Sequence, residues 1–170
     1  MNRYVSIASA AAFIGCILAA NYVTSRYGMI PVGFGIVATA GTYFAGASFV
    51  LRDTVQDGLG KLATLAVIAT GAVLSYFISA PFIALASGAA FLASEASDLL
   101  VYTPLRRRGY LRAAVASNVV GAVVDTFLFL WVAGFPVATA WQGQLIGKLT
   151  ITCGAVLLLF AFRSRKLVAA

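Results

Sequence analysis

The chain has 170 residues, of which 62% are hydrophobic and only 10% charged, with a net charge of +7 and a mean hydropathy of +0.97. Soluble globular domains carry about 25% charged residues, so this composition excludes that class and reads as a polytopic membrane protein. The positive balance does not imply a nucleic-acid partner, because Lys and Arg fall between apolar segments and at the C-terminus rather than on one soluble face.

Crossing a hydrocarbon core of about 30 Å at 1.5 Å per residue takes about 20 apolar residues. Six runs meet that length, near 4–22, 29–51, 62–79, 81–102, 113–134 and 142–162. The expected fold is all-α: one integral membrane domain over 1–170, a six-helix bundle with short connections and no soluble insert. Arg3, Arg52, Lys61, Arg106, Arg107, Arg108, Arg112, Arg163, Arg165 and Lys166 fall at the termini or in alternate loops, against Arg26 alone on the other side. That bias predicts both termini in the cytoplasm.

The first run, preceded by Arg3 and ending in Leu18-Ala19-Ala20, has the flanks of a signal peptide but is long for one and reads as a span. Asn21 at its outer end is an interfacial amide or a weak site candidate. Cys16 and Cys153 lie inside spans and read as packing residues. Ala8 and Ala12, Gly41 and Ala45, and Gly143 and Gly147 are spaced four apart, the pattern of close helix contacts. The second run closes in Arg52-Asp53-Thr54-Val55-Gln56-Asp57. There Asp53 and Gln56, three apart, can turn inward while Arg52 reaches toward water.

In the fourth run Phe91, Glu95, Asp98 and Tyr102 lie on one helical stripe. Asp98 is near enough to the end for the Arg106–Arg108 cluster to solvate it, whereas Glu95 is about two turns deeper. In the fifth, Asn118, Gly121, Ala122 and Asp125 share a face, and Asp125 falls close to mid-membrane. Lys148, in the sixth, can pair with it. An ionisable group at that depth costs at least roughly 2.5–3.5 kcal/mol and so marks a cavity, an ion pair or a polar ligand. Asp125 and Lys148 therefore read either as a structural pair or as part of a site.

With no histidine in the chain, Ser/His and Cys/His dyads, zinc protease chemistry and histidine-ligated haem are excluded. No cofactor and no metal is expected. Asp98 and Asp125 lack the Tyr-Asp or Gly-x-Gly-Asp context of intramembrane aspartyl proteases, so the chain does not read as an enzyme.

Ala20-Asn21-Tyr22, the segment Phe49 to Gly60, Ala93-Ser94-Glu95-Ala96-Ser97-Asp98-Leu99-Leu100-Val101-Tyr102 with Leu105-Arg106, Ala116-Ser117-Asn118 through Val124-Asp125-Thr126-Phe127, and Gly147-Lys148 together resemble the queuosine precursor transporter family. That family is also described as vitamin-uptake-transporter-like. The resemblance runs over nearly the whole chain in order. It implies a six-helix, multi-pass importer of a 7-deazaguanine compound in the bacterial inner membrane. The chain departs from the pattern in its short external loops and in Arg52-Asp53-x-x-Gln56, where other members carry a less basic segment.

The polar residues suit such a substrate. A carboxylate can accept from a ring N–H and an exocyclic amine side by side, and an amide can read a carbonyl beside a ring nitrogen. Tyr43, Phe44, Phe91, Phe127 and Trp131 are available for stacking. The expected pocket or coupling network is Glu95 and Asp125 helped by Asn118, Gln56 and Asp53, with Lys148 neutralising one acid. A proton carried by one carboxylate is one energy source, and intracellular trapping is another. A substrate-binding subunit of an energy-coupling-factor vitamin transporter is the alternative. The expected partners are a deazapurine or vitamin-like small molecule and the lipid bilayer, with monomer and homodimer both open.

Overall fold

The computed structural model describes residues 3–105, 107 and 110–168, with side chains for all of these except 99, 103, 110–115 and 155–168. Six helices follow one another: α1 (Arg3–Tyr27), α2 (Thr42–Leu59), α3 (Lys61–Ile78), α4 (Pro81–Leu105), α5 (Tyr110–Val132) and α6 (Val137–Val168). Among the described residues, Arg3–Tyr27, Lys61–Ile78 and Pro81–Tyr102 are long and apolar enough to cross a membrane, and Ala116–Val132 is a shorter apolar stretch.

The expected second span at 29–51 is the main correction within this helical bundle. Residues Met29–Gly33 (β1) and Ile36–Thr39 (β2) form an antiparallel hairpin, and the helix begins only at Thr42. The reason is local. Pro31 removes a donor that a helix interior needs, and Ile30, Val32, Ile36, Val37 and Thr39 are β-branched. Phe34 and Gly35, the two residues between the strands, have φ of 52° and 73°. Positive φ at both positions is what a two-residue turn matched to the twist of paired strands demands. A bulge lies between Pro31 and Gly33, where the pairing register slips.

The hairpin sits at the end of the bundle where α1 finishes and α2 starts, and β2 packs along α6. Small residues make this packing possible. A Cβ on Gly143 would lie 3.0 Å from Ile36 Cγ2 and closer still to the Val37 carbonyl. A Cβ on Gly46 would come within 2.9 Å of the Lys148 carbonyl oxygen, so α2 and α6 touch almost backbone to backbone. α4 and α5 form the most extensive helix pair. By contrast α2 packs mainly on α1 and α6, and side chains rather than backbones bridge it to α4.

Candidate functional site

Two polar clusters lie along the bundle, with an aromatic layer between them. The cluster nearer the hairpin lines a cavity of about 30 Å³, room for a water-sized molecule or two. Its wall takes Asn21 and Thr24 from α1, Thr39 from β2, Thr42 from α2, Ser87 and Phe91 from α4, Asp125 and Phe129 from α5, and Gln144 and Lys148 from α6. Five helices and the hairpin thus converge on one small polar space.

Asp125 and Lys148 are its charges. Lys148 Nζ donates to Asp125 Oδ2 at 2.5 Å and to Thr126 Oγ1 at 3.0 Å, with the Lys148 and Asp125 side chains 2% and 6% exposed. Taking both ions from water is costly, and the pair offsets that only because the geometry is close and a hydroxyl shares the ammonium. Uncharged groups complete the wall. Asn21 Nδ2 donates to Ser75 Oγ at 3.0 Å, tying α1 to α3. Thr24 Oγ1 accepts the Gly41 amide at 3.0 Å, which anchors the turn from hairpin to α2. Gln144 Nε2 donates to Thr39 Oγ1 at 2.6 Å, and Thr39 in turn contacts Thr42 Oγ1 at 3.2 Å.

The second cluster is built around Arg52, which is 5% exposed. Its guanidinium donates to Glu95 on α4, to Asp53 Oδ1 at 2.7 and 3.0 Å, and to Asn118 Oδ1 on α5 at 3.4 Å. The same group lies 5.7 Å from the centre of the Phe49 ring, within cation–π range. Below it Phe49 stacks on Phe91 at 5.5 Å between ring centres, and Phe13 packs on Phe91 at 5.9 Å. These three buried rings form an apolar layer whose Phe91 is also part of the cavity wall.

Residues 73–163 match the model of a family described as "Putative vitamin uptake transporter". The chain belongs to that family. No curated protein and no solved structure matches it. Within this vitamin uptake transporter family member, the matched stretch holds Glu95, Asn118, Asp125, Gln144 and Lys148. Asn21, Thr39 and Arg52 lie before it. Membership makes the chain an integral membrane protein that handles a small molecule.

The residues singled out from sequence divide between the clusters. Asp125, Lys148 and Asn21 line the cavity, and the acid that Lys148 neutralises is Asp125. Glu95, Asp53 and Asn118 belong to the Arg52 cluster, so Glu95 and Asp125 do not share one pocket. Asp98 is half-buried beside that cluster, close enough for its charge to act on Arg52, Asp53 and Glu95. Of the arginines expected to solvate it, Arg106 and Arg108 lie outside the described residues and Arg107 is exposed. Gln56, half-buried one turn beyond Arg52, lines neither the cavity nor the ion-pair cluster.

Sequence reasoning missed Arg52 as an inward residue, and it missed Gln144, Thr39 and Thr42. Arg52 at the end of an apolar run over 29–51 looks like a snorkelling residue. Gln144 carried a signal, lying four residues before Lys148 and so on the same helix face. Thr39 and Thr42 acquire their place only through the hairpin.

Proposed function

We propose that this chain imports a 7-deazaguanine-type queuosine precursor across the bacterial inner membrane, with six membrane-crossing segments and both termini in the cytoplasm. On that orientation the hairpin faces the outside, and the Arg52 cluster faces the cytoplasm. The observation that carries the reading is the polar cavity at the Asp125–Lys148 pair, enclosed by five helices and the hairpin. Polar walls in the interior of a membrane bundle are costly unless something polar passes there. Family membership and the order of the motifs support the same reading.

The arrangement also has the parts that alternating access requires. One side of the cavity is covered by the hairpin, held through Thr39 and Gln144. The other is covered by the Phe13–Phe49–Phe91 layer and the Arg52–Glu95 ion pair. A bicyclic heterocycle needs more room than a cavity of about 30 Å³ offers, so loading requires the hairpin to lift or α2 to move. Unloading requires the aromatic layer and the ion pair to part.

Proteoliposomes containing the purified protein are expected to accumulate labelled 7-cyano-7-deazaguanine, and a panel of deazapurines and vitamins ranks the substrates by thermal stabilisation. A ligand at a hundredfold excess over its Kd stabilises by about 2.7 kcal/mol, and Asp125→Asn should abolish that shift. Uptake no faster than in empty vesicles for every deazapurine rejects the substrate assignment. Rates that are equal with and without a pH gradient remove proton coupling and leave facilitated uptake.

A further inference from the structure

Among the described residues, one fully buried polar atom of the side chains that line the cavity has no hydrogen-bond partner. Gln144 is 1% exposed, and its Oε1 is one of two buried side-chain polar atoms, with Ser6 Oγ, that have no partner among the described residues. Buried acceptors in folded proteins are almost always paired, so an orphan in a cavity wall calls for an explanation.

The orientation of that amide is fixed by the hydroxyls beside it. Thr42 Oγ1 donates to the Thr39 carbonyl at 2.7 Å, which uses its single hydrogen. The 3.2 Å contact between the two hydroxyls is then donated by Thr39. Thr39 Oγ1 therefore accepts, and the group 2.6 Å from it must be the amide nitrogen of Gln144. Reversing the amide would set Thr39 to donate to the oxygen and leave the contact between the hydroxyls without a proton. Gln144 thus keeps its oxygen on the side away from Thr39, held by the hairpin.

We infer that Gln144 is a specificity-determining residue of the cavity, whose Oε1 accepts a hydrogen bond from an N–H edge of the transported molecule. This rests on the importer reading above and narrows its substrate class to a planar heterocycle with a lactam N–H or an exocyclic amine. Asp125 supplies a second acceptor on the same wall. The two come from α5 and α6, so a donor edge laid across them bridges the helices that the Lys148 ion pair already joins. Apolar and donor-free molecules of the same size gain nothing from either group.

The test is a ratio of affinities. Binding of 7-cyano-7-deazaguanine and of an analogue methylated on its lactam and exocyclic nitrogens is measured by titration for the full chain in nanodiscs, and then for Gln144→Met and Gln144→Asn. Thermal melts establish that each variant is folded. The second variant withdraws the acceptor by one methylene and decides the matter where the first does not fold. The wild-type chain is expected to prefer the N–H compound by about tenfold or more. The variants should bring that preference to within about twofold of parity by weakening the N–H compound selectively. A variant that weakens both compounds equally, or a preference that survives in a folded variant, overturns the role of Gln144 and leaves the importer reading standing. Equal binding of both compounds by the wild-type chain does the same. Failure of the wild-type chain to bind either compound removes the substrate assignment, and this inference with it.

Discussion

Lys148→Met tests whether the cavity charges form one electrostatic unit. The substitution keeps the length and apolar stem of the side chain and deletes the cation, leaving the Asp125 carboxylate 6% exposed with its charged partner gone. Removing one partner of a buried pair costs about 3–5 kcal/mol, whereas exchanging both for apolar groups of similar volume is often neutral. For a chain of this size each kcal/mol corresponds to roughly 2–4 °C in Tm, so the single variant should melt roughly 6–20 °C lower. The double variant Lys148→Met/Asp125→Leu should regain most of that difference. Melts of detergent-solubilised protein, followed by tryptophan fluorescence, complete the cycle. A double variant no more stable than Lys148→Met would refute the reasoning, since the loss would then come from helix packing rather than from an orphaned charge.

Gly46→Ala forces a Cβ to 2.9 Å from the Lys148 carbonyl. Backbone cannot swing aside, so α2 must retreat from α6 at a cost of about 1–3 kcal/mol, visible as a lower Tm and slower uptake. Arg52→Met strands Glu95, whose side chain is 14% exposed, while Glu95→Gln leaves Arg52 its Asp53 partner. The first should therefore destabilise more, by about 2–3 kcal/mol against about 1, in chemical denaturation. Phe91→Ala removes the ring shared by both aromatic contacts and should lower stability by about 3–5 kcal/mol. In proteoliposomes the same change should speed passive equilibration of substrate, because the apolar layer beneath the cavity is breached.

Hydropathy made the helical bundle legible, helical spacing singled out Asp125 and Glu95, and Lys148 stood out as a charge inside an apolar run. The pairing of Asp125 with Lys148 was likewise visible as an option. The hairpin was hidden because run length alone counted 29–51 as a helix, while Pro31 and the glycines at 33 and 35 argued otherwise. With the helix starting at Thr42, Arg52 is ten residues in rather than at the end, and its charge turns toward Glu95. Long-range partnerships such as Gln144 with Thr39, 105 residues apart, have no local signature at all.

The pairing of Asp125 with Lys148 has an electrical consequence. Their formal charges cancel at the depth of the cavity, so a membrane voltage exerts almost no net pull on the empty wall. An uncharged heterocycle crossing there does no work against the potential, and that cycle is electroneutral. Each proton travelling with it adds about 2.3 kcal/mol of driving force per 100 mV, so current recorded across a planar bilayer during uptake counts those protons directly.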